Sequence, residues 1–261
     1  EQYSGRLISV SSGANDLDVD IYAQASLSIS SITDLTSSDP YVGGETFDIR
    51  VNYDNTAGGV DVTGVDATIN FNGATGVSAS NPGPITVPAL GTASQDFTIT
   101  IIAGVTTQLG VEIDATVSGA VEQHSDRILA DVLSGLNDLN VDIYAQATLL
   151  ITSIVDLTSS SPYVGGETFD IRVNYQNTGA VDVTSVDATI NFNGASLLSS
   201  NNSAAVTVPA SGTAYQDFVI TVDIAAPTQI NVEIDADVVG ALEQHSGRVM
   251  SASSGVNDLN R

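Results

Sequence analysis

Lysine, cysteine and tryptophan are absent from this chain of 261 residues, and methionine occurs only once. Without cysteine the chain can form no disulfide, and it offers no thiolate ligand for a structural zinc site. The sequence has no recognisable signal peptide and no apolar run long enough to span a bilayer. We therefore expect no membrane insertion in this segment.

Positive charge is also scarce, because six arginines face 31 acidic residues and the formal net charge is −25. Such a surface repels the phosphates of nucleic acids and of anionic lipids, so nucleic acid is not an expected partner. The charge also opposes compaction unless cations screen it. Two explanations stay open at this point: adaptation to high salt, as in proteins of extreme halophiles, and binding of divalent cations such as calcium.

The chain contains an internal repeat. Residues 31–56 recur as 153–178 with three substitutions, and 60–74 recur as 181–195 with one. A segment of the form Glu-Gln-(Tyr/His)-Ser-(Gly/Asp)-Arg begins at residues 1, 122 and 243. The predicted organisation is a tail of a preceding repeat (1–14), a first module (15–120), a linker (121–136), a second module (137–241) and a linker strand toward a following repeat or subunit (242–261).

Short segments in which apolar and polar residues alternate are separated by turns rich in Gly, Pro, Asn and Asp, and no segment predicts a convincing helix. Two of these segments are expected to face the core with Phe47, Ile49, Val51 and Tyr53, and with Leu109, Val111, Ile113, Ala115 and Val117. The predicted fold class is all-β: two tandem immunoglobulin-like antiparallel β-sandwiches joined by an extended strand linker.

The longest alternating segment covers residues 15–29, begins Asn-Asp-Leu-Asp-Val-Asp-Ile-Tyr, and recurs at 137–151. Its pattern predicts one long half-buried strand with an acidic row on the exposed face. Carboxylates at alternate positions of a strand lie about 6.5–7 Å apart, so one calcium ion would need further oxygen ligands from the neighbouring module. The candidate ligands of this joint are Asp16, Asp18, Asp20, Glu122, Asp138 and Asp142.

The alternative to a calcium-stiffened joint is a solvated acidic strand face, and Asp114 and Asp235 are expected on an outer sheet face of that kind. Asn201 begins the triplet Asn-Asn-Ser and is a candidate glycosylation site. Each module has one histidine, and no Gly-x-Ser-x-Gly turn or Cys/His zinc spacing is present. We therefore expect no enzymatic activity, and no cofactor other than calcium.

Several turn motifs resemble the CARDB family of cell-adhesion-related domains. They are Pro-x-x-Gly-Gly-Glu-Thr-Phe at 40–47, Asn-Tyr-Asp-Asn-Thr-Ala-Gly at 52–58 and Thr-Val-Pro-Ala-Leu-Gly-Thr-Ala at 86–93. The resemblance covers residues 25–118 and 147–239. It implies a seven-stranded sandwich in secreted or surface-anchored prokaryotic proteins, often in tandem, and it supplies no catalytic residue.

Together these features favour a structural module of an extracellular surface filament or adhesin stalk, whose partners are copies of itself in a head-to-tail polymer or a longer array. The two ends of the sequence overlap by about one linker, so either the sequence is cut from a longer array or, if it is complete, strand exchange joins the subunits. The alternative is a carbohydrate- or protein-binding surface module that uses the irregular loops 72–84 and 193–205. Those loops are where the two copies differ most, which favours the structural interpretation.

Overall fold

The computed structural model describes residues 13, 17–159, 161–201 and 203–260. The regular structure is almost entirely β, as the alternation predicts. The strands of the first half, called here the first repeat, are β1 (Ser28–Asp34), β2 (Tyr41–Val42), β3 (Thr46–Asp54), β4 (Val62–Val65), β5 (Ala67–Asn70), β6 (Val77–Ala79), β7 (Ile85–Val87), β8 (Thr92–Ile101), β9 (Gln108–Val117), β10 (Val121–Glu122), β11 (Val132–Leu133) and β12 (Leu139–Tyr144).

The second repeat follows the first with two differences: residues 163–164 form no strand where the first repeat has β2, and residues 233–243 form one strand where the first repeat has β9 and β10. It also has one 3₁₀ turn (Gly255–Asn257) near its end. None of the helical segments in the described ranges is long and apolar enough to cross a membrane. The strands of the second repeat are β13 (Leu149–Asp156), β14 (Thr168–Asn177), β15 (Val183–Val186), β16 (Ala188–Asn191), β17 (Leu198–Ser200), β18 (Val206–Val208), β19 (Thr213–Val222), β20 (Glu233–Glu243), β21 (Val249–Ser253) and β22 (Leu259–Asn260).

Each repeat is built from a sheet of four strands and a second set of strands. In the first repeat the four-stranded sheet has the order β1-β3-β8-β6, and the other strands pair as β10-β4-β7 and as β11-β9-β12-β2, with β5 also on β9. In the second repeat the orders are β13-β14-β19-β17 and β16-β20-β15-β18, with β21 and β22 also on β20. Buried side chains from both sets pack together, which is the layered arrangement of a β-sandwich.

The period-two pattern identifies most of the core correctly. Phe47, Ile49, Val51 and Tyr53 of β3 are buried, as are Val111, Ile113, Ala115 and Val117 of β9. The prediction for Leu109 is wrong, because its side chain is exposed. Gly110 has a φ of +60°, and the register opposite it shifts between Val141 and Ile143. This bulge breaks the alternation at the start of β9.

The prediction of one long strand over 15–29 and over 137–151 is wrong in both copies. Residues 17–27 form no strand, and the second copy is divided into β12 and β13. The division has a physical reason: β12 pairs with β9 of the first repeat, whereas β13 pairs with β14 of the second. One segment therefore serves two different sheets.

The same pairing corrects the boundaries at 121, 137 and 242. Strands β10, β11 and β12 pair with β4 and β9, so residues 121–144 belong to the sheets of the first repeat. Residues 249–260 likewise pair back onto β20 through β21 and β22. The buried apolar side chains divide accordingly into one cluster from residues 29–143 and another from 147–259, with Val42 counted in the second.

Candidate functional site: the groove beside β9 and β20 and its acidic rim

In the first repeat, β12 fills a groove between β9 and β2. It pairs antiparallel with β9, with Val141 opposite Val111 and Ile143 opposite Gln108, and parallel with β2, with Ile143 opposite Tyr41. The side chains of Val141 and Ile143 are 2% and 0% exposed. These two residues therefore complete the core of the repeat that precedes them in the chain.

Asp142 contributes hydrogen bonds that fix this strand in place. Its Oδ1 accepts a bond of 2.7 Å from the Gly110 amide, and its own amide donates to Asp39 Oδ1 at 2.8 Å. The Gly43 amide donates to the Tyr144 carbonyl oxygen at 2.9 Å. The structure thus places Asp142, a predicted calcium ligand, as an anchor of β12.

In the second repeat the corresponding groove is largely open. The short strand β22 pairs only with Glu233 and Ile234 of β20, and no described residue takes the place that Val141–Tyr144 occupies in the first repeat. A cavity of about 520 Å³ remains, lined by residues that include Tyr163, Val164, Phe169, Ile230, Val232 and Ile234.

Residues 17–22 have the sequence of β12 with one substitution, Asp18 for Asn140, but they pair with no strand. Val19 is 64% exposed and Ile21 is 89% exposed, although their counterparts are buried. The contacts of the first repeat with this end of the chain begin at Tyr22, whose ring stacks on that of His124 with the ring centres 6.0 Å apart. Hydrogen bonds follow where the Ala25 amide donates to Glu122 and the Ser26 amide donates to Asn55 Oδ1.

Glu122 and Glu243 hold the entry of the chain into each repeat. Glu122 accepts hydrogen bonds from Arg127 at 2.9 and 3.0 Å, from the Ser125 hydroxyl at 2.5 Å and from the Ala25 amide at 2.5 Å. The bond with Arg127 is the largest cause of a pKa lowered to about 2. Both carboxylate oxygens are thereby engaged, so the structure gives Glu122 an anchoring role, and its role as a calcium ligand stays a prediction.

Glu243 repeats this arrangement with Arg248, Ser246 and the Ala147 amide. Burial alone would raise its pKa, but the bonds from these three donors lower it below the ordinary value of a glutamate. The side chain is fully enclosed, whereas that of Arg248 is partly exposed. A buried carboxylate with this many donors is stable only as the anion.

Asp138, another predicted ligand, belongs to a cluster of carboxylates together with Glu112 and Asp114 of β9. One ligand oxygen from each residue lies within 4.8 Å of the other two. The second repeat has the same cluster, formed by Glu233, Asp235 and Asp258. Hard cations such as calcium take carboxylate oxygens as ligands, so both clusters have the donor chemistry of a calcium site.

Some oxygens of these clusters have no donor. The buried Oδ1 atoms of Asp114, Asp138, Asp235 and Asp258 have no hydrogen-bond partner among the described residues. Burial raises the pKa of Asp235, and the carboxylates of Asp258 and Glu233 raise it further, against a lowering by the bond from Asn193. The charge repulsion that raises this pKa is the kind that a bound cation removes.

Asn72 and Asn193 bring two carboxylates of each cluster together. The Asn72 amide nitrogen donates to Glu112 at 2.9 Å and to Asp114 at 2.7 Å, and Asn193 does the same with Glu233 and Asp235 at 2.8 and 2.6 Å. The sequence contains a signal for this arrangement, because Glu-x-Asp at 112 and 233 is matched by Asn-Asp at 137 and 257. The spacing alone does not show that they meet.

The remaining predicted site residues lie apart from these clusters. Asp16 is outside the described residues, and Asp18 and Asp20 are exposed on the unpaired segment. Asn201 is exposed, and its Oδ1 accepts a bond of 2.7 Å from the Val219 amide. Its glycosylation stays a prediction. Asp114 and Asp235, expected on an outer face, have partly buried side chains within the clusters.

Comparisons with known proteins give structural likeness alone. No family model and no curated protein matches the chain, so the resemblance to CARDB domains stays a prediction. Red sea bream transglutaminase aligns over 90% of this chain and 31% of its own, with 14% identity and a TM-score of 0.25. The chain thus spans about a third of that protein.

The periplasmic chaperone SfaE aligns over 84% of this chain and 93% of its own, with 10% identity and a TM-score of 0.27. A Salmonella alpha-2-macroglobulin mutant aligns over 90% of this chain and 16% of its own, with 11% identity and a TM-score of 0.31. These scores assign the chain to no family. The fold class stands on the strand pairing described above, which is that of immunoglobulin-like β-sandwiches.

Proposed function

We propose that this chain is a structural module of a linear extracellular assembly, a surface filament or adhesin stalk, and that it performs no catalysis. The observation that carries the proposal is the path of residues 139–156. They complete the sheet of the first repeat as β12 and then enter the second repeat as β13. Tension along the chain at this point is borne by two sheets, because neither strand can leave without breaking its own ladder of hydrogen bonds.

The joint between the two strands, residues 145–148, is itself held by hydrogen bonds. The Gln146 side-chain amide donates to the Gly43 carbonyl oxygen at 2.8 Å, and the Ala147 amide donates to Glu243. Gly179 lies so close to this chain that a Cβ there would be 2.1 Å from the Gln146 carbonyl oxygen. A short, close-packed connection favours a stiff linkage, which is what a stalk requires.

A cation role supports the same function. The carboxylate clusters at Asp138 and Asp258 lie where β12 and β22 begin, next to the strands that complete each repeat. Calcium bound there would neutralise part of the net charge of −25 and tie these strands to β9 and β20. An extracellular location fits this role, because calcium sites of extracellular modules commonly have dissociation constants of about 0.1–1 mM.

The proposal is tested by locating the protein on native cells. Antibodies raised against the full chain should label fibres or stalks outside the cell in immunogold electron micrographs. Label confined to the cell interior, or spread over the surface without any extended structure, would refute the structural function. This experiment does not depend on how neighbouring copies of the chain are joined.

A further inference from the structure

We infer that the outer face of the second repeat binds the same face of a second copy of this chain. The outer face is formed by the side chains of β13, β14 and β19 that point away from the core. Its apolar members, which are 40–51% exposed, are Leu150, Val155, Tyr215 and Val219. The contact is lateral, so it adds to the proposed linear assembly and does not depend on it.

The two repeats differ on this face in one direction only. Five outward positions of these strands change in polarity, and each is less polar in the second repeat. The pairs, first repeat and then second, are Ser28 and Leu150, Thr33 and Val155, Asp54 and Gln176, Ser94 and Tyr215, and Thr98 and Val219. Random substitution would change polarity in both directions. A contiguous apolar surface that only one of two similar repeats exposes is typical of a site of protein–protein contact.

The less polar side chains surround one ion pair. Val155 and Asp217 lie on either side of Arg172 in the sheet. Tyr215 and Val219 are the outward residues before and after Asp217 on β19. The Arg172 guanidinium carbon lies 3.6 Å from the centre of the Tyr215 ring. Outward neighbours in a sheet are about 4.5–7 Å apart, so these side chains form one continuous surface. Tyrosine and arginine are both enriched at protein interfaces.

The outer face stays exposed beside a neighbouring repeat. The first repeat is followed by the second, and Ser28, Ser94 and Thr98 on its corresponding face are nevertheless exposed. The second repeat is preceded by the first, and its own outer face is exposed as well. A further repeat joined in the same way before or after these two would therefore leave the face free for a partner at its side.

Charge favours a second copy as that partner. Two chains that each carry a net charge of −25 repel each other, so they meet most easily where the local charge is small. The outer face of the second repeat has Gln176 in the place of Asp54. The charge of Asp217 is balanced by Arg172, which donates two hydrogen bonds to it. The face is therefore less acidic than its counterpart in the first repeat.

The one remaining acid, Asp170, makes the face complementary to itself. Its counterpart Asp48 accepts a hydrogen bond of 2.7 Å from the Thr98 hydroxyl, which Val219 replaces in the second repeat. Among the described residues, no donor reaches the Asp170 carboxylate. A two-fold contact presents the same patch from both sides, so Arg172 of each copy pairs with Asp170 of the other.

Other occupants fit the outer face less well. A sugar needs a free aromatic ring to stack on, and Arg172 already covers one side of the Tyr215 ring. A basic protein gains more on the acidic remainder of the surface. The two central strands have 10 residues each. A four-stranded sheet of this length covers roughly 600 Å² in projection, close to the 800 Å² or so that each partner buries in a standard interface.

The test measures self-association of the full chain by sedimentation equilibrium in about 1 M sodium chloride, where the Debye length is about 3 Å and repulsion between chains is screened. We expect a dimer, because a two-fold contact closes on itself. Tyr215→Ser should weaken the dimer by about tenfold or more. The double variant Val155→Thr with Val219→Thr should weaken it as well. A chain that stays monomeric up to about 1 mM would overturn the inference.

The variants carry their own check on folding, because each restores a residue that the first repeat has at that position. The double threonine variant should keep the melting curve of the wild type, since both positions are exposed. The matched control is Val239→Ser, which also restores a first-repeat residue, Ser118, but lies on β20 outside the outer face. It should associate as the wild type does. Equal weakening by this control would assign association to exposed apolar area in general and overturn the inference.

The two-fold pairing is tested by exchanging charges. Arg172→Asp places two carboxylates opposite each other in the dimer, and Asp170→Arg places two guanidinium groups there, so each variant alone should associate about tenfold more weakly or worse. An equal mixture of the two should recover association, because each new charge then meets its opposite. A mixture no stronger than either variant alone would exclude this pairing.

This inference and the proposed function fail in different ways. Stalks labelled on cells, together with a chain that stays monomeric in solution, would leave the structural function standing and overturn only the lateral contact. A dimer that depends on Tyr215, together with antibody label confined to the cell interior, would support the lateral contact and refute the stalk.

Discussion

The grooves of the two repeats have almost the same walls but very different burial. Val42 is 0% exposed in the first repeat, whereas its counterpart Val164 is 61% exposed in the second. Both residues follow a Pro-Tyr pair and precede Gly-Gly-Glu-Thr-Phe, so the residues on either side of them do not explain the difference, although Asp39 before the first pair is replaced by Ser161 before the second. The strand β12 does, because it pairs with β2. Burial here is decided by whether a neighbouring strand is present.

Residues 17–22 and 139–144 also show that a neighbouring strand decides the structure of this pattern. One copy of the pattern is a strand in a sheet, and the other forms no strand. A segment with no neighbouring strand gains little stability from residues of high β propensity, because that propensity mostly reflects packing against neighbouring strands. The predictions that follow each test a difference between the two repeats or their flanking segments, beginning with the one expected to be largest.

The largest effect is expected at Ile143. Replacing this buried residue with alanine removes apolar contacts from the core of the first repeat, and we expect a loss of about 2–5 kcal/mol in the free energy of unfolding. The matched variant Ile21→Ala should change stability by no more than about 0.5 kcal/mol in dilute, monomeric protein. Chemical denaturation followed by circular dichroism measures both.

Equal losses for the two variants would show that residues 17–22 are packed in solution. A small loss for Ile143→Ala alone would show that β12 contributes little to the first repeat.

The next effect concerns the anchors Glu243 and Glu122. Glu243→Gln keeps the shape of the side chain but removes the charge that accepts bonds from Arg248, so we expect a loss of about 1.5–3 kcal/mol from the second repeat. The matched control Arg248→Lys keeps the positive charge but loses the paired hydrogen bonds that a guanidinium donates. Denaturation curves that are unchanged in both variants would mean that the ion pair does not hold the chain entry.

Acid should weaken the first repeat through Glu122. Hydrogen bonds from Arg127 and the other donors lower its pKa in the folded protein to about 2, from an ordinary value of 4.5. The interactions that lower this pKa stabilise the fold fully when the pH is above about 4.5, the pKa of the group in the unfolded chain. Their contribution is lost as the pH falls from about 4.5 toward 2. Glu122→Gln should therefore flatten the dependence of stability on pH in that window, which denaturation between pH 6 and pH 2.5 measures.

The sequence predicts the core better than it predicts the joint. Alternation places the side chains of β3 correctly because both neighbours of that strand are in the same repeat. It merges β12 and β13 into one strand because a period-two pattern does not state which sheet a strand joins. It misplaces Leu109 for a similar reason, since the bulge at Gly110 belongs to the pairing with β12.

The carboxylate clusters show a second limit. Asp138 is predicted as a ligand from its place in the acidic row, but its neighbours in space are Glu112 and Asp114 of β9. Their meeting depends on the register of β12 against β9, in which Leu139 lies opposite Ile113. No local pattern encodes that register. Asp18 and Asp20 belong to the first copy of this acidic row, but among the described residues neither is part of a carboxylate cluster.

Calcium should therefore act through the clusters and not through the exposed row. With calcium at about ten times its dissociation constant, linkage predicts a gain of about 1.4 kcal/mol per filled site. Asp138→Asn should reduce the gain of the first repeat, and Asp258→Asn that of the second. The double variant Asp18→Asn with Asp20→Asn should respond to calcium as the wild type does. Thermal melting with calcium or with a chelator, at fixed ionic strength, measures these differences.

Sodium chloride in place of calcium distinguishes screening from specific binding. If the same rise in melting temperature follows from ionic strength alone, the acidic composition reflects adaptation to salt. A calcium response that persists in both Asp138→Asn and Asp258→Asn would locate the bound ions elsewhere on the chain. Either result would leave the difference between the two grooves unaffected.

The smallest predicted effect compares two arginines on equivalent sheet faces. Arg50 pairs with Asp96 at 2.7 and 2.8 Å, and Arg172 pairs with Asp217 at the same distances. Only Arg172 also lies over an aromatic ring, with its guanidinium carbon 3.6 Å from the centre of Tyr215. The first repeat has Ser94 at that position.

Exposed ion pairs contribute little, so the ring should account for most of the difference between the two sites. Ser94→Tyr should stabilise the first repeat by about 0.5–1 kcal/mol, and Tyr215→Ser should destabilise the second by a similar amount. Because the ring attracts the cation, the gain from Ser94→Tyr should disappear when Arg50 is replaced by glutamine. A double-mutant cycle measured by denaturation gives this coupling directly, and a coupling near zero would mean that the tyrosine acts only through its apolar area.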